Sequence, residues 1–415
     1  MVALSDRIAS LHVSPIRRVT ALFAEASERK ELITFGGGGP SLPPPPEVSE
    51  EIIRRIREDP QGSTAYCGTR GFLELRKLIA NDWVKHDGEV YSPEKEIMLT
   101  DGATEAIFCA FLSLFNKNDE VVLTNPTYLG YLEAFQLAGA RPKWLPVTVE
   151  EGYQPSLEVL KQVVTKRTKA VVLLSPDNPT GRIIKEDFVK GLLDLAVDYD
   201  FWMVNDSTYR DIVYDKPQPK ISSLPGAHER LLSVGSFSKE ASVPGLRLGY
   251  ALGPSELIDG MEKVKQYSSL APNILSQYAM LPFLKNDVKD RYLKDYVLPI
   301  YKKRRDVMEE AIKQYLPEAG LVRPDGAFYF FVDMRHYLQF MDRDEQDFCN
   351  RLLTRKGVII IPGSYFGDKG VGHVRFTFVS EPEDRIKLGV QRIGEYVFSY
   401  AFSMSGEAPR TTNSL

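Results

Sequence analysis

The stretch SFSKEASVPGLRLGY (236–250) sets Lys239 among small and hydroxyl-bearing residues and follows it with Arg247. A lysine in a partly dry pocket beside a second cation has a lowered pKa and becomes a nucleophile. Four more stretches collect polar groups and glycines: TDGATEA (100–106), NPTY (125–128), SPDNPTG (175–181) and NDSTY (205–209). Gly102, Ala103 and Thr104 offer backbone N–H groups at a helix start, which suits a phosphate. Ser236 and Arg247 would add a hydroxyl and a guanidinium to the same phosphate. Asp206 ends an apolar run, where a carboxylate is costly to bury without a partner. A protonated ring nitrogen would supply that partner. Tyr209 and Asn178 could reach a phenolic oxygen on the same ring. Each group alone has an ordinary use: an N-cap for Gly102–Thr104 or Asp206, a turn for DNPTG, a surface ion pair for Arg247.

Short apolar strands must position these groups. KEIMLT (95–100), EVVLT (120–124), KAVVLLS (169–175), FWMVND (201–206), RLLSVGS (230–236) and LRLGYALG (246–253) read as strands. GATEAIFCAFLSLF (102–115), TYLGYLEAFQLAG and KEDFVKGLLDLAVDY (185–199) have helical spacing. Strands apolar throughout and separated by helices predict an α/β fold, with a parallel sheet covered on both faces. The chemical residues then fall at the carboxyl ends of the strands, the edge where open α/β sheets bind ligands. A phosphate, a ring nitrogen needing a carboxylate and an imine-forming lysine together describe pyridoxal phosphate. After about residue 290 a long helix leads into GAFYFFVDM, GVIIIPG and HVRFTFV, the pattern of a smaller α+β domain.

Composition narrows the alternatives. The 415 residues are 43% hydrophobic and 26% charged, with net charge −4, which predicts a globular protein of two domains. No basic block or aromatic-basic stripe favours nucleic acid, and no apolar run nears the roughly 20 residues of a membrane span. The N-terminus lacks the long apolar core of a signal peptide, so a cytoplasmic protein is expected. Cys67, Cys109 and Cys349 are far apart and the five histidines are scattered, so no metal site is expected. GGGGPSLPPPP (36–46) reads as a bridge from an N-terminal arm, and SMSGEAPRTTNSL as a frayed tail.

Taken in order, these segments resemble the class I/II aminotransferases, the fold-type I pyridoxal-phosphate enzymes. SFSKEASVPGLRLGY is similar to the family's S-x-x-K segment with its trailing arginine, SPDNPTG to its N-P-T-G turn and NDSTY to its D-x-x-Y. AYCGTRGFLELR, PDGAFYFF, IIIPGSYFG and HVRFTF match further family segments, and the resemblance covers roughly residues 30–395. It implies a mostly parallel seven-stranded sheet with helices on both faces. The division implied is an arm with part of the small domain (1–45), a large cofactor-binding domain (46–290), a small domain (291–400) and a disordered tail (401–415). Lys239 resembles the Schiff-base lysine and Asp206 the ring-nitrogen partner. Asn178 and Tyr209 match the groups on the ring hydroxyl, and Gly102, Ala103, Thr104, Ser236 and Arg247 the phosphate cup. Tyr128 matches the aromatic stacked on the ring. Tyr66 resembles the tyrosine that reaches the phosphate across a homodimer interface. Arg375 resembles the arginine that clamps the substrate α-carboxylate, with Gly38 helping through its backbone. Cis peptide bonds before Pro126 and Pro179 are also implied.

The activity implied is a ping-pong exchange of an amino group between an L-amino acid and a 2-oxo acid such as 2-oxoglutarate, through an internal aldimine on Lys239. Thr104 and the stretch QYSSLAPNILSQYAM (266–280) lack the cations with which dicarboxylate-preferring members hold a distal carboxylate. SPIRRVTALF and NPTYLGYLEAF resemble the aromatic and 2-aminoadipate branch, so the expectation is a broad or aromatic transaminase. In it Arg17 or Arg18 would pair a distal carboxylate, or simply begin a solvated helix. The eight-residue spacing from Lys239 to Arg247 departs from the seven common in that branch. Lyases, decarboxylases and oxidases share the cofactor residues. A cofactor-sensing regulator would need a DNA-binding module, for which the roughly 35 residues before the glycine run are too few.

Overall fold

The computed structural model describes residues 4–9, 11, 32–128, 130–341 and 343–405. Arg17 and Arg18 lie outside these residues.

Seven strands form the central sheet: β2 (Ile97–Thr100), β3 (Glu120–Asn125), β4 (Arg141–Pro146), β5 (Thr168–Leu174), β6 (Trp202–Asp206), β7 (Leu231–Ser236) and β8 (Gly249–Leu252). Their order is β2-β8-β7-β6-β5-β3-β4. All pairings are parallel except those of β8, which runs antiparallel to β7 and β2. The mostly parallel seven-stranded sheet implied by the sequence is therefore observed. The strand not marked in the sequence is β4, an exposed edge strand carrying Pro142 and Pro146. Proline cannot donate to a ladder and is tolerated only at such an edge, so its pattern is not that of a buried strand.

Helices cover both faces. On one, Ala103–Leu114, Gly130–Ala138 and Ser255–Ser268 enclose a core with Met98, Leu123, Val172, Val204, Val234 and Ala251. On the other, Leu157–Val163 and Glu186–Tyr199 pack on Val122, Val171, Leu173 and Met203. Burial on both faces accounts for the unbroken apolar runs of β3, β5 and β7.

The second unit is an antiparallel sheet of β9 (Tyr329–Asp333), β12 (His373–Thr377) and β11 (Ile361–Pro362), with β12 in the middle. Near the N-terminus β1 (Ile33–Thr34) pairs in parallel with β10 (Val358–Ile359), so this strand joins the second unit. Helices Leu298–Tyr315 and Glu383–Ser405 pack on one another behind it. The last helix runs on through residues 401–405, and its buried face carries Ile386, Val390, Ile393 and Val397; residues 406–415 of the expected tail lie outside the described residues.

The NPTY turn links the two units. Thr127 N–H donates to the Phe366 carbonyl at 2.8 Å, and the Asn125 amide donates to Asp368. Asn125–Pro126 is cis, as expected, but the second cis bond is Ser175–Pro176 rather than Asn178–Pro179. The chain bends where it leaves β5. Asn178 and Pro179 lie inside the following turn, closed by Gly181 N–H on the Asp177 carbonyl and Asp177 N–H on the Arg182 carbonyl.

Candidate active site

A cavity of about 600 Å³ opens at the carboxyl edge of the large sheet, against the smaller one. Gly38, Ala103, Thr104, Tyr128, Asn178, Asp206, Tyr209, Ser236, Lys239, Arg247 and Arg375 all line it, residues drawn from seven separate stretches of sequence.

Lys239 sits on the short helix Phe237–Glu240, which starts where β7 ends and is capped by Ser236, whose Oγ accepts from Ser238 N–H at 3.2 Å. Its Nζ donates to the Gly38 carbonyl at 2.7 Å. Burial, then the charges of Arg375 and Arg247, lower its pKa to about 8, against the pull of Asp206. The second cation anticipated from the sequence was Arg247; Arg375 is the stronger of the two.

Asp206 ends β6 and is buried. Its Oδ2 accepts from the Tyr131 hydroxyl at 2.7 Å and its Oδ1 from Thr208 N–H at 3.0 Å. Burial raises its pKa, and these hydrogen bonds only partly offset the rise. Such a carboxylate gains most from a cation placed against it. Tyr131 is positioned by its neighbour: Tyr128 and Tyr131 pack edge to face at 5.4 Å. A side chain at Gly130 would meet the Tyr128 ring at 2.4 Å.

Arg375, on the central strand β12, is buried. Its guanidinium donates to Asn178 Oδ1 at 3.0 Å and to the Gly36 carbonyl at 2.8 Å, while its Nε–H has no partner. It lies over the rings of Tyr329 and Phe366, 4.3 and 5.0 Å from their centroids. With Oδ1 of Asn178 occupied by Arg375, its amide N–H group is the end left to donate into the cavity. The Tyr209 hydroxyl shares a 2.7 Å hydrogen bond with that of Tyr329, and burial raises its pKa well above the ordinary phenol value.

At the other end of the cavity, Gly102 caps the helix Ala103–Leu114 with φ of 88°. A side chain there would meet the Arg247 guanidinium at 2.5 Å, so glycine is required twice over. Arg247 donates to the carbonyls of Pro244 and Asp101, both at 3.2 Å.

The donor set fits pyridoxal phosphate. A helix N-terminus and a guanidinium form one end, a buried carboxylate faces the middle, and a depressed lysine and an arginine with an unpartnered Nε–H form the other. Tyr66 does not line this cavity; it is 87% exposed on the surface. Gly38 meets Lys239 through its carbonyl, and the backbone oxygen on Arg375 is that of Gly36. Tyr131, Thr208, Tyr329 and Gly36 also belong to the site, though nothing in the sequence marked them as such. Tyr131 stands one helical turn after Tyr128, a spacing that could have marked it; Tyr329 was hidden in the aromatic run GAFYFF.

Residues 30–393 match the family model described as aminotransferase class I and II. The chain belongs to this family. It is 31% identical over 396 residues to a probable aspartate/prephenate aminotransferase of Thermus aquaticus, covering 95% of this chain and 99% of that one. It is 30% identical over 384 residues to an aromatic-amino-acid aminotransferase 2 of Thermococcus litoralis, covering 92% and 95%. The solved structure of Thermus thermophilus aspartate aminotransferase with maleate superposes with a TM-score of 0.88 at 30% identity, covering 95% of this chain and all of that one. This aminotransferase is accordingly a pyridoxal-phosphate enzyme of the transaminase type. The lyase, decarboxylase, oxidase and regulator alternatives are not favoured. Among the described residues no helix is long and apolar enough to cross a membrane.

Proposed function

We propose that this aminotransferase exchanges the amino group of an aromatic or broad range of L-amino acids with a 2-oxo acid, using Lys239 as the base. The observation that carries the reading is the convergence of Lys239, Asp206, Arg247 and Arg375 on one cavity, with the lysine brought to a pKa of about 8. When bound, pyridoxal phosphate supplies a carbonyl for the amino group and an electron sink for the substrate's carbanion.

The protein's residues supply the rest. Arg375 takes the substrate α-carboxylate; its Nε–H is available, and Asn178 and Gly36 fix its plane. Lys239, with a substantial neutral fraction near pH 8, moves a proton at the substrate α-carbon. Asp206, braced by Tyr131 and Thr208, would hold a proton on the ring nitrogen. Asn178 and Tyr209 would hold the phenolic oxygen, with Tyr128 beside the ring. Gly102, Ala103, Thr104, Ser236 and Arg247 would hold the phosphate.

The apolar lining of Ile107, Phe108, Ala134 and Leu174, with Tyr131 and Tyr329, supports an aromatic or broad donor. Among the described residues the cations of the lining are Lys239, Arg247 and Arg375, each already given a task. A distal carboxylate would therefore need a cation from Arg17, Arg18 or a partner subunit. A homodimer with Tyr66 serving the partner's phosphate is part of the reading, supported by the exposure of Tyr66 away from its own cavity. Location in the cytoplasm is supported by three cysteines that are all unpaired. A panel of amino donors with 2-oxoglutarate, scored for glutamate, tests the substrate class. Phenylalanine and tyrosine are expected to exceed aspartate in kcat/KM; an exclusive preference for aspartate would overturn the aromatic assignment.

A further inference from the structure

Lys265, on the helix Ser255–Ser268, is wholly buried yet is not part of the chemistry above. Its Nζ donates to Glu105 Oε2 at 2.6 Å, to Ser269 Oγ at 2.7 Å and to Asp101 Oδ2 at 3.3 Å. Both carboxylates line the cavity, at the end where Gly102 and Arg247 stand. Asp101 is the hub of that end. Its N–H donates to Glu105 Oε2 at 2.7 Å, and its Oδ1 accepts from Asn273 N–H at 3.1 Å. Its carbonyl holds the Arg247 guanidinium at 3.2 Å. Burial pushes the Glu105 carboxyl up, but the Asp101 amide, Lys265 and Ser269 together hold it below the usual range. Glu105 is therefore an anion beside the place where a phosphate dianion would bind.

Two carboxylates next to a phosphate repel it unless they are neutralised, and the repulsion is strong where water is scarce. Lys265 is the cation in contact with both. We propose that Lys265 is a positioning residue of the phosphate cup: it holds Asp101 and Glu105 in the geometry that anchors Arg247, and its single positive charge offsets part of the negative charge that opposes phosphate. The inference rests on the phosphate lying at Gly102–Thr104 and Arg247.

The test compares the affinity of the apoprotein for pyridoxal phosphate with that for pyridoxal, which lacks the phosphate, by spectroscopic titration. Lys265→Met is expected to weaken pyridoxal phosphate roughly tenfold, one charge contact's worth, while pyridoxal changes less than about twofold. Adding Glu105→Gln to Lys265→Met should restore most of the loss. Glu105→Gln alone, which keeps the buried lysine paired with Asp101, should tighten the phosphate form selectively; it keeps the proposal testable if Lys265→Met does not fold. Equal losses for both ligands in Lys265→Met, or no selective gain in Glu105→Gln, would overturn the proposal. Arg247→Ala separates the two levels. If it keeps the preference for the phosphorylated ligand, the cup itself is misplaced and the proposal falls with it. If it loses that preference while the Lys265 and Glu105 variants do not change it, only the role of Lys265 fails.

Discussion

Arg375 is held by three constraints: a side-chain acceptor, a backbone acceptor and two aromatic rings. A lysine at this position would keep the charge but lose the planar fork that matches a carboxylate. Arg375→Lys is expected to lower kcat/KM about 10- to 100-fold, the value of a charge-assisted hydrogen bond or two, mainly through KM. Steady-state kinetics with a good donor checks this; unchanged KM would remove Arg375 from carboxylate binding. Lys239 gives a pH signature. Its pKa lies below that of a free lysine, so the neutral amine that attacks a carbonyl becomes abundant as pH rises through about 8. The rate at which apoprotein gains its visible absorption from pyridoxal phosphate should climb through that region and then level. A rate still climbing steeply at pH 10 would mean the lysine is not depressed.

At the scale of elements, the site was legible wherever a strand ended in unusual chemistry. Asp206 ends one strand that the periodicity placed to within a few residues, and Lys239 follows another, on a short helix that the periodicity did not mark. The cavity's aromatic support was not legible, because Tyr131 and Tyr329 look like core residues until the helix and β9 are brought against Asp206 and Tyr209. Nor could the sequence place the second cis bond, since SPDNPTG offers two prolines and only the path of the chain leaving β5 distinguishes them. Pairings between distant segments were equally hidden. His228, in the turn before β7, bridges Glu89 at 2.8 Å and Glu96 at 2.9 Å and stacks on Tyr91. Burial lowers its pKa, but the hydrogen bonds and charges of Glu96 and Glu89 prevail and raise it. A raised folded-state pKa means the clasp stabilises fully below the unfolded value of about 6.5 and fades as pH rises through the folded value. His228→Gln should therefore cost ~0.5–1 kcal/mol at pH 6 and less at pH 9, by denaturant unfolding. A loss that grows with pH would contradict the assignment.

At the scale of the molecule, the site takes Gly36 and Gly38 from the N-terminal segment, Asp206 and Lys239 from the large sheet and Arg375 from the small one, so folding must finish before any of it exists. The Tyr66 reading extends this to a second subunit. Tyr66→Ala should weaken pyridoxal phosphate roughly tenfold, the value of one hydrogen bond to a charged group. Mixing this variant with Lys239→Ala should create hybrid dimers in which one site regains both native residues and with them native affinity. No recovery on mixing would place Tyr66 outside the site. A half-reaction tests the transamination itself most directly. Holoprotein mixed with an amino donor and no acceptor should release one equivalent of the matching 2-oxo acid per site and then stop. Its visible band should be lost in step and return when 2-oxoglutarate is added, and Lys239→Ala should do none of this. Continuous turnover without an acceptor, with release of ammonia or carbon dioxide, would contradict the account.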